Sequence, residues 1–120
     1  GYAMYPYLIM PYATLDMLKQ RARIIIGDTS QDANLNAKNT QAAREIDFTL
    51  KYHGVGVPVT EPAELLNQLG EVNADLAVGL FWEEVGPMMQ AEAIRMIQRG
   101  REGLQKVLDL LVKGGTLVIG

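Results

Sequence analysis

Apolar positions recur every three or four residues along most of this chain, and the places where that rhythm fails divide it into segments. Leu15, Leu18 and Ala22 fall on one helical face. Thr14 is a natural N-cap ahead of them, and Asp16 lies in the first turn, where the helix dipole favours a carboxylate. This predicts a short helix ending at about Arg23. Ile24-Ile25-Ile26 is a β-branched run stopped by Gly27-Asp28, and it reads equally as a buried helix end or a brief strand. Residues 29–39 are polar, with Ser30 or Asp32 as the cap of a second helix that begins at Asp32 or at Thr40 and runs to Tyr52. Ala43, Ile46 and Leu50 define its core face. Phe48 and Tyr52 form a second apolar pair, so apolar neighbours are expected on two sides. Gly54 and Gly56 end this helix and Pro58 prevents its resumption.

Pro62 suits the first turn of a third helix, where its missing N–H costs nothing. Leu65, Leu69, Val72, Leu76 and Leu80 make its stripe, widened by Leu66 and Ala77, while Glu64, Gln68, Glu71 and Asp75 are expected to face away. Gly70 and Gly79 each weaken a helix by about 1 kcal/mol relative to Ala, which points to close packing as their reason. Phe81-Trp82 closes the helix and Gly86-Pro87 breaks the chain. A last helix over residues 88–113 carries Ala93, Ile97, Leu104, Val107, Leu108 and Leu111 on one face, although Gly100 and Gly103 interrupt its propensity. Gly114-Gly115 terminates it, and Thr116-Leu117-Val118-Ile119 is strand-like in composition.

The N-terminal stretch differs from the rest. Tyr2, Tyr5, Tyr7 and Tyr12 are interleaved with Met4, Leu8, Ile9 and Met10, and Pro6 and Pro11 bar a regular helix in favour of an extended arm. Such an arm either folds back on its own domain or packs on a neighbouring subunit. The expected fold class is mainly α: a small bundle of about four helices. A long Gly/Pro loop joins the second and third helices, with an extended apolar N-terminal arm and a short strand-like C-terminal tail. One domain spans residues 1–120, with the arm over 1–13 and the tail over 114–120.

Composition narrows function by exclusion. A formal net charge of −3 argues against non-specific binding to DNA or to an anionic membrane surface. Without cysteine there is neither a disulfide framework nor a thiolate-ligated metal. No apolar run approaches the roughly 20 residues of a membrane-spanning helix, and no basic stretch precedes an apolar one as in a secretory signal. His53 is the only histidine and lies at a helix C-terminus, where it caps carbonyls; no nucleophile–base–carboxylate set accompanies it. Gly54-Val55-Gly56-Val57-Pro58 has the glycines of a phosphate loop but the wrong flanks, because a helix precedes it and a proline interrupts it. Glu83-Glu84, Asp28 and Asp32 read as solvated surface. Arg95, Arg99, Arg101 and Lys106 are the one concentration of positive charge. Glu92 and Glu102 lie within helical pairing distance, so a salt-bridged face is the default and a contact with an acidic partner the alternative. No catalytic residue, cofactor or metal is expected.

Two segments carry a resemblance. Tyr12-Ala13-Thr14-Leu15-Asp16-Met17-Leu18-Lys19 resembles the "Tyr-Ala-Thr-x-x-x-Leu" helix start of the head-to-tail connector (adaptor, or head-completion) proteins of tailed phages, including the Mu-like branch. Ala43-Arg44-Glu45-Ile46-Asp47, then Leu50-Lys51-Tyr52 and a loop with Val57-Pro58, resembles the same family's Ile-Asp helix with its aromatic end. Asn73-Ala74-Asp75-Leu76-Ala77 is similar to its acidic residue among alanines. Members commonly follow that residue with arginine and tyrosine, where this chain has Val78-Gly79-Leu80-Phe81-Trp82. The likeness covers about residues 12–113 through short, degenerate motifs.

The resemblance implies a non-enzymatic virion protein, assembled in the host cytoplasm. It would form a homo-oligomeric ring, typically twelvefold, at the neck beneath the portal protein, and bind a tail or stopper protein. DNA passes through such a ring without being specifically bound. Candidate subunit or partner contacts are Tyr2, Tyr5, Tyr7, Leu8, Ile9, Met10, His53, Val55, Val57, Arg95, Arg99, Leu117, Val118 and Ile119, with the loop of residues 51–61 as a docking element. Two other classes stand beside it. One is a small cytoplasmic regulatory or adaptor protein acting as a dimer through its 65–80 and 97–111 faces. The other is an enzyme with a site around Asp47, Tyr52 and His53.

Overall fold

The computed structural model describes residues 9–113. Four α-helices follow one another: α1 (Leu15–Ala22), α2 (Asp32–Tyr52), α3 (Ala63–Val85) and α4 (Gln90–Lys113), with a 3-10 turn over Pro87–Met89. There is no strand among the described residues. The contact residues Tyr2, Tyr5, Tyr7, Leu8, Leu117, Val118 and Ile119, with the Gly114-Gly115 stop, lie outside them.

Thr14 caps α1 as its position demands, its hydroxyl accepting the Met17 N–H at 3.2 Å. At the other end Arg23 turns left-handed (φ 63°), and the Ile24 N–H reaches back to the Lys19 carbonyl at 2.8 Å. The isoleucines that follow form neither helix end nor strand. Ile25 is 80 % exposed and the segment is a turn, because buried Lys19 holds it open. Lys19 Nζ donates to the Ile26 carbonyl at 2.8 Å and pairs with Asp32 at 2.6 Å. The expected cap of α2 also moves. Asp28 Oδ1 accepts both the N–H and the hydroxyl of Ser30, which holds the Asp28 carboxyl below its usual range, and Asp32 sits inside the first turn of α2. The helix starts at Asp32 rather than Thr40.

Helix α3 is the centre. Residues 72–79 are buried without interruption, as expected of a helix with neighbours all round. It runs past Phe81-Trp82 to Val85 before Gly86, at φ 135°, ends it. Helix α4 is continuous, and its glycines explain how it packs. A Cβ on Gly100 would lie 2.8 Å from Leu76, and one on Gly103 would lie 2.9 Å from Val72. One on Gly79 would meet Ile97 Cγ1 at 2.6 Å, the Ile97 nitrogen at 3.1 Å and the Ala93 carbonyl at 3.2 Å. The pairing of 72 with 103, 76 with 100 and 79 with 93 and 97 makes α3 and α4 an antiparallel hairpin with a close seam.

Asp75 contradicts the sequence expectation that it faces away. It is buried, and Arg21 of α1 and Arg99 of α4 both reach it, so an acidic position on the "outer" side of the stripe becomes a three-helix clasp. Arg21 Nη1 donates to Oδ1 at 2.9 Å; Arg99 donates through Nη2 at 2.8 Å and through Nε to Oδ2 at 3.1 Å. Arg21 also pairs with Glu71.

The seam gives a direct prediction. Gly79→Ala gains about 1 kcal/mol of helix propensity but forces a methyl against backbone, an overpacking cost of about 1–3 kcal/mol. Denaturant melts should show a net loss, whereas Gly27→Ala, with nothing within 4 Å of its added Cβ, should leave the midpoint equal or slightly higher.

Candidate functional site

The residues leading into α1 are tied to three other parts of the chain by a buried polar relay. Tyr12 N–H donates to Asn73 Oδ1 at 2.8 Å, and Asn73 Nδ2 donates to Asn39 Oδ1 at 2.7 Å. Asn39 Nδ2 in turn donates to the Ala13 carbonyl at 2.8 Å. Both amides are buried and each is oriented by partners on both sides, so α2, α3 and the lead-in segment are held in one register. The Tyr12 hydroxyl extends the relay outward. It donates to Asp47 Oδ1 at 2.6 Å and accepts the Val59 N–H at 3.0 Å, pinning the 53–62 loop over the end of α2.

That loop and α2 enclose a groove of about 540 Å³. Ile9, Phe48, Val55 and Val57 form its apolar walls, Arg44 and Lys51 stand at its rim, and Asp47 lies at its floor. The expectation that Phe48 and Tyr52 meet apolar neighbours is not met by the described residues. Phe48 is 72 % and Tyr52 79 % exposed, because α1 and α3 cover the other side of α2, where Ala42, Ala43, Ile46 and Leu50 are buried. Tyr52 stands one turn beyond Phe48 on the same face, edge-on to His53 at 5.3 Å.

His53 is the C-cap of α2 and its Nδ1 lies 2.9 Å from the Thr49 carbonyl, which is the capping role expected of it. The would-be catalytic trio points in different directions: Asp47 inward to Tyr12, Tyr52 and His53 to solvent. Among the described residues no group of three or more His, Cys, Asp or Glu side chains is placed to hold a metal ion, and no helix is long and apolar enough to cross a membrane.

The three arginines of the basic set on α4 pair with carboxylates, two of them on other helices. Arg95 pairs with Glu92, but Arg99 clasps Asp75 and Arg101 reaches Glu45 on α2 at 3.1 Å. Hydrogen bonding to Asp75, reinforced by its charge, raises the Arg99 guanidinium above its ordinary pKa, and Glu45 does the same for Arg101. Arg95 and Arg99 still border a second groove of about 410 Å³ with Trp82 and Met96. Met10, another candidate contact, is exposed beside the first groove's Ile9.

A third exposed apolar feature had no sequence signal beyond its break. At the α3–α4 turn Met88 is 95 % exposed and Val85 57 %. Lys38, near the start of α2, pairs with Glu84 beside this corner and draws the Glu84 carboxyl below its usual range. Phe48 is ten residues further along α2, about 15 Å at the helical rise. The Val85–Met88 corner and the Phe48–Tyr52 face therefore lie toward opposite ends of α2.

Removing one oxygen tests the relay. Tyr12→Phe strips a donor from buried Asp47 and an acceptor from the buried Val59 N–H, so stability should fall by about 1–3 kcal/mol. Amide exchange at Val59 should quicken more than in the α3–α4 seam; an unchanged midpoint and exchange rate would mean the hydroxyl does not hold the loop. No family model, no curated protein and no solved structure matches this chain.

Proposed function

We propose that this chain is a structural subunit of the tailed-phage head-to-tail connector kind. It works by assembling into a ring that joins capsid to tail around the DNA channel, and not by catalysis. The observation that carries the reading is the pair of unlike apolar patches toward opposite ends of α2, Phe48–Tyr52 at one and Val85–Met88 at the other. A two-fold dimer needs one self-complementary patch. A closed ring needs two different patches that meet head to tail, each subunit offering both.

Three further features support it. The Tyr12-Ala13-Thr14 start, the Ile46-Asp47 pair and the Asp75 among alanines, which carry the resemblance, are the residues that knit the domain together: Thr14 caps α1, Asp47 receives Tyr12, and Asp75 clasps two arginines. The loop bearing Val55 and Val57 is pinned rather than loose, as a docking element for portal or tail protein should be. A net charge of −3 repels phosphate along a conduit that DNA must pass.

Mass photometry of the wild-type chain should show one closed species of fixed mass, twelvefold by the resemblance, that binds isolated portal rings. Monomers or dimers at every concentration, without portal binding, would contradict the proposal. The head-to-tail geometry has its own signature. Tyr52→Glu and Met88→Glu should each abolish the ring, yet an equimolar mixture should form dimers, because each variant keeps the patch the other has lost. A two-fold interface would be lost in one variant alone and would not return on mixing.

A further inference from the structure

We infer that the groove between α2 and the 53–62 loop receives the Glu83–Met88 corner of a second copy of this chain. The inference rests on the ring reading above and names the contact through which neighbouring subunits meet. Phe48, Val55 and Val57 wall the groove, and Arg44 and Lys51 stand at its rim. Neither rim cation enters an ion pair among the described residues, whereas Arg95, Arg99 and Arg101 on α4 all do. Asp47 at the floor already accepts the Tyr12 hydroxyl. The slot is apolar within and positive at its edge.

The corner has the opposite character. The last turn of α3 carries Glu83 and Glu84 and no basic residue. Carboxylates at the negative end of a helix dipole are unfavourably placed, so this helix end calls for cations from outside itself. Lys38 answers Glu84, while Glu83 has no ion-pair partner among the described residues. Gly86 then breaks the helix, and Val85 and Met88 stand out into solvent. Methionine is the adaptable apolar side chain that interfaces favour, and a cleft of about 540 Å³ has room for both residues. Charge decides between the possible pairings. Groove against groove would bring Arg44 and Lys51 together with their own copies, and corner against corner would do the same for the glutamates. Only groove against corner joins unlike charges, and that pairing is head to tail.

The chain has no cysteine, so introduced thiols report cleanly. Residues 55 and 85 cannot meet within one chain. The Val55 N–H bonds Leu50 and Glu84 pairs with Lys38, positions about 18 Å apart at the helical rise. A disulfide allows at most about 7 Å between Cα atoms. Chains carrying both Val55→Cys and Val85→Cys should therefore link only to one another, and mild oxidation should give a ladder ending at the ring mass. Neither single variant should link, and an equimolar mixture of the two should stop at dimers. A single variant that links as fully as the double would overturn the inference in favour of a two-fold contact. Rings seen by mass photometry without linking in the double variant would overturn it and leave the ring reading standing; a chain monomeric throughout would overturn both. The charges give a second readout. Arg44→Glu and Glu83→Lys should each weaken assembly about tenfold, and the two in one chain should restore it. Losses that simply multiply would overturn the pairing of rim with corner.

Discussion

The Asn39–Asn73 amide pair is the constraint on which the rest of this structure depends. Two carboxamides buried between α2 and α3 would each cost about 1–3 kcal/mol if left unpaired, more than most single contacts in a small domain. They are satisfied only when the Tyr12 N–H and the Ala13 carbonyl are presented to them from the lead-in segment. Hydrophobic burial alone would let α2 slide or rotate against α3 at little cost, since alanines and leucines pack in several registers. The relay removes that freedom, and through the Tyr12 hydroxyl it fixes the loop and one side of the groove as well. The surface proposed for assembly is thus positioned from inside.

The α3–α4 hairpin is held on a different principle. Glycines at 79, 100 and 103 bring two backbones close, at an intrinsic helix cost of about 1 kcal/mol each, and the seam they allow buries Val72, Leu76, Leu104, Val107 and Leu108. Asp75 supplies what the seam lacks, a fixed angle to α1. Its carboxylate is buried while Arg99 remains mostly in water, so the clasp is closer to an anchored surface pair than to a fully desolvated one. Specific polar ties and close packing therefore divide the work. The first sets where helices lie, and the second sets how tightly.

Much of the frame was legible in the chain. Thr14 with Asp16, the Ala43-Ile46-Leu50 face, Gly86-Pro87 and the α4 stripe each follow local rules that tertiary structure does not overrule, while Pro62 stands one residue ahead of α3, as its extended N-cap, rather than in its first turn. The misreadings share a cause. Asp75 reads as solvent-facing by type, and only partners distant in sequence reveal it as buried: Arg99 is 24 residues away and Arg21 is 54. Phe48 and Tyr52 read as apolar contacts because they are aromatic and one turn apart, yet among the described residues α1 and α3 cover the opposite side of α2. The isoleucine run at 24–26 obeyed neither periodicity because a lysine seven residues upstream of Ile26 holds its carbonyl. The candidate surface was visible as a Gly/Pro loop with valines; its second half, Met88 beside a chain break, carried no pattern to read.

A buried amide relay sets the geometry of the face proposed for assembly. The most direct test is a double-mutant cycle on Asn39→Ala and Asn73→Ala, with stability read from denaturant midpoints. If the two amides act as one unit, the second substitution costs much less in the background of the first, giving a coupling of about 1–3 kcal/mol. Additivity to within about 0.5 kcal/mol would contradict the account, because the relay would then be two independent contacts and the register of α2 on α3 would need another cause.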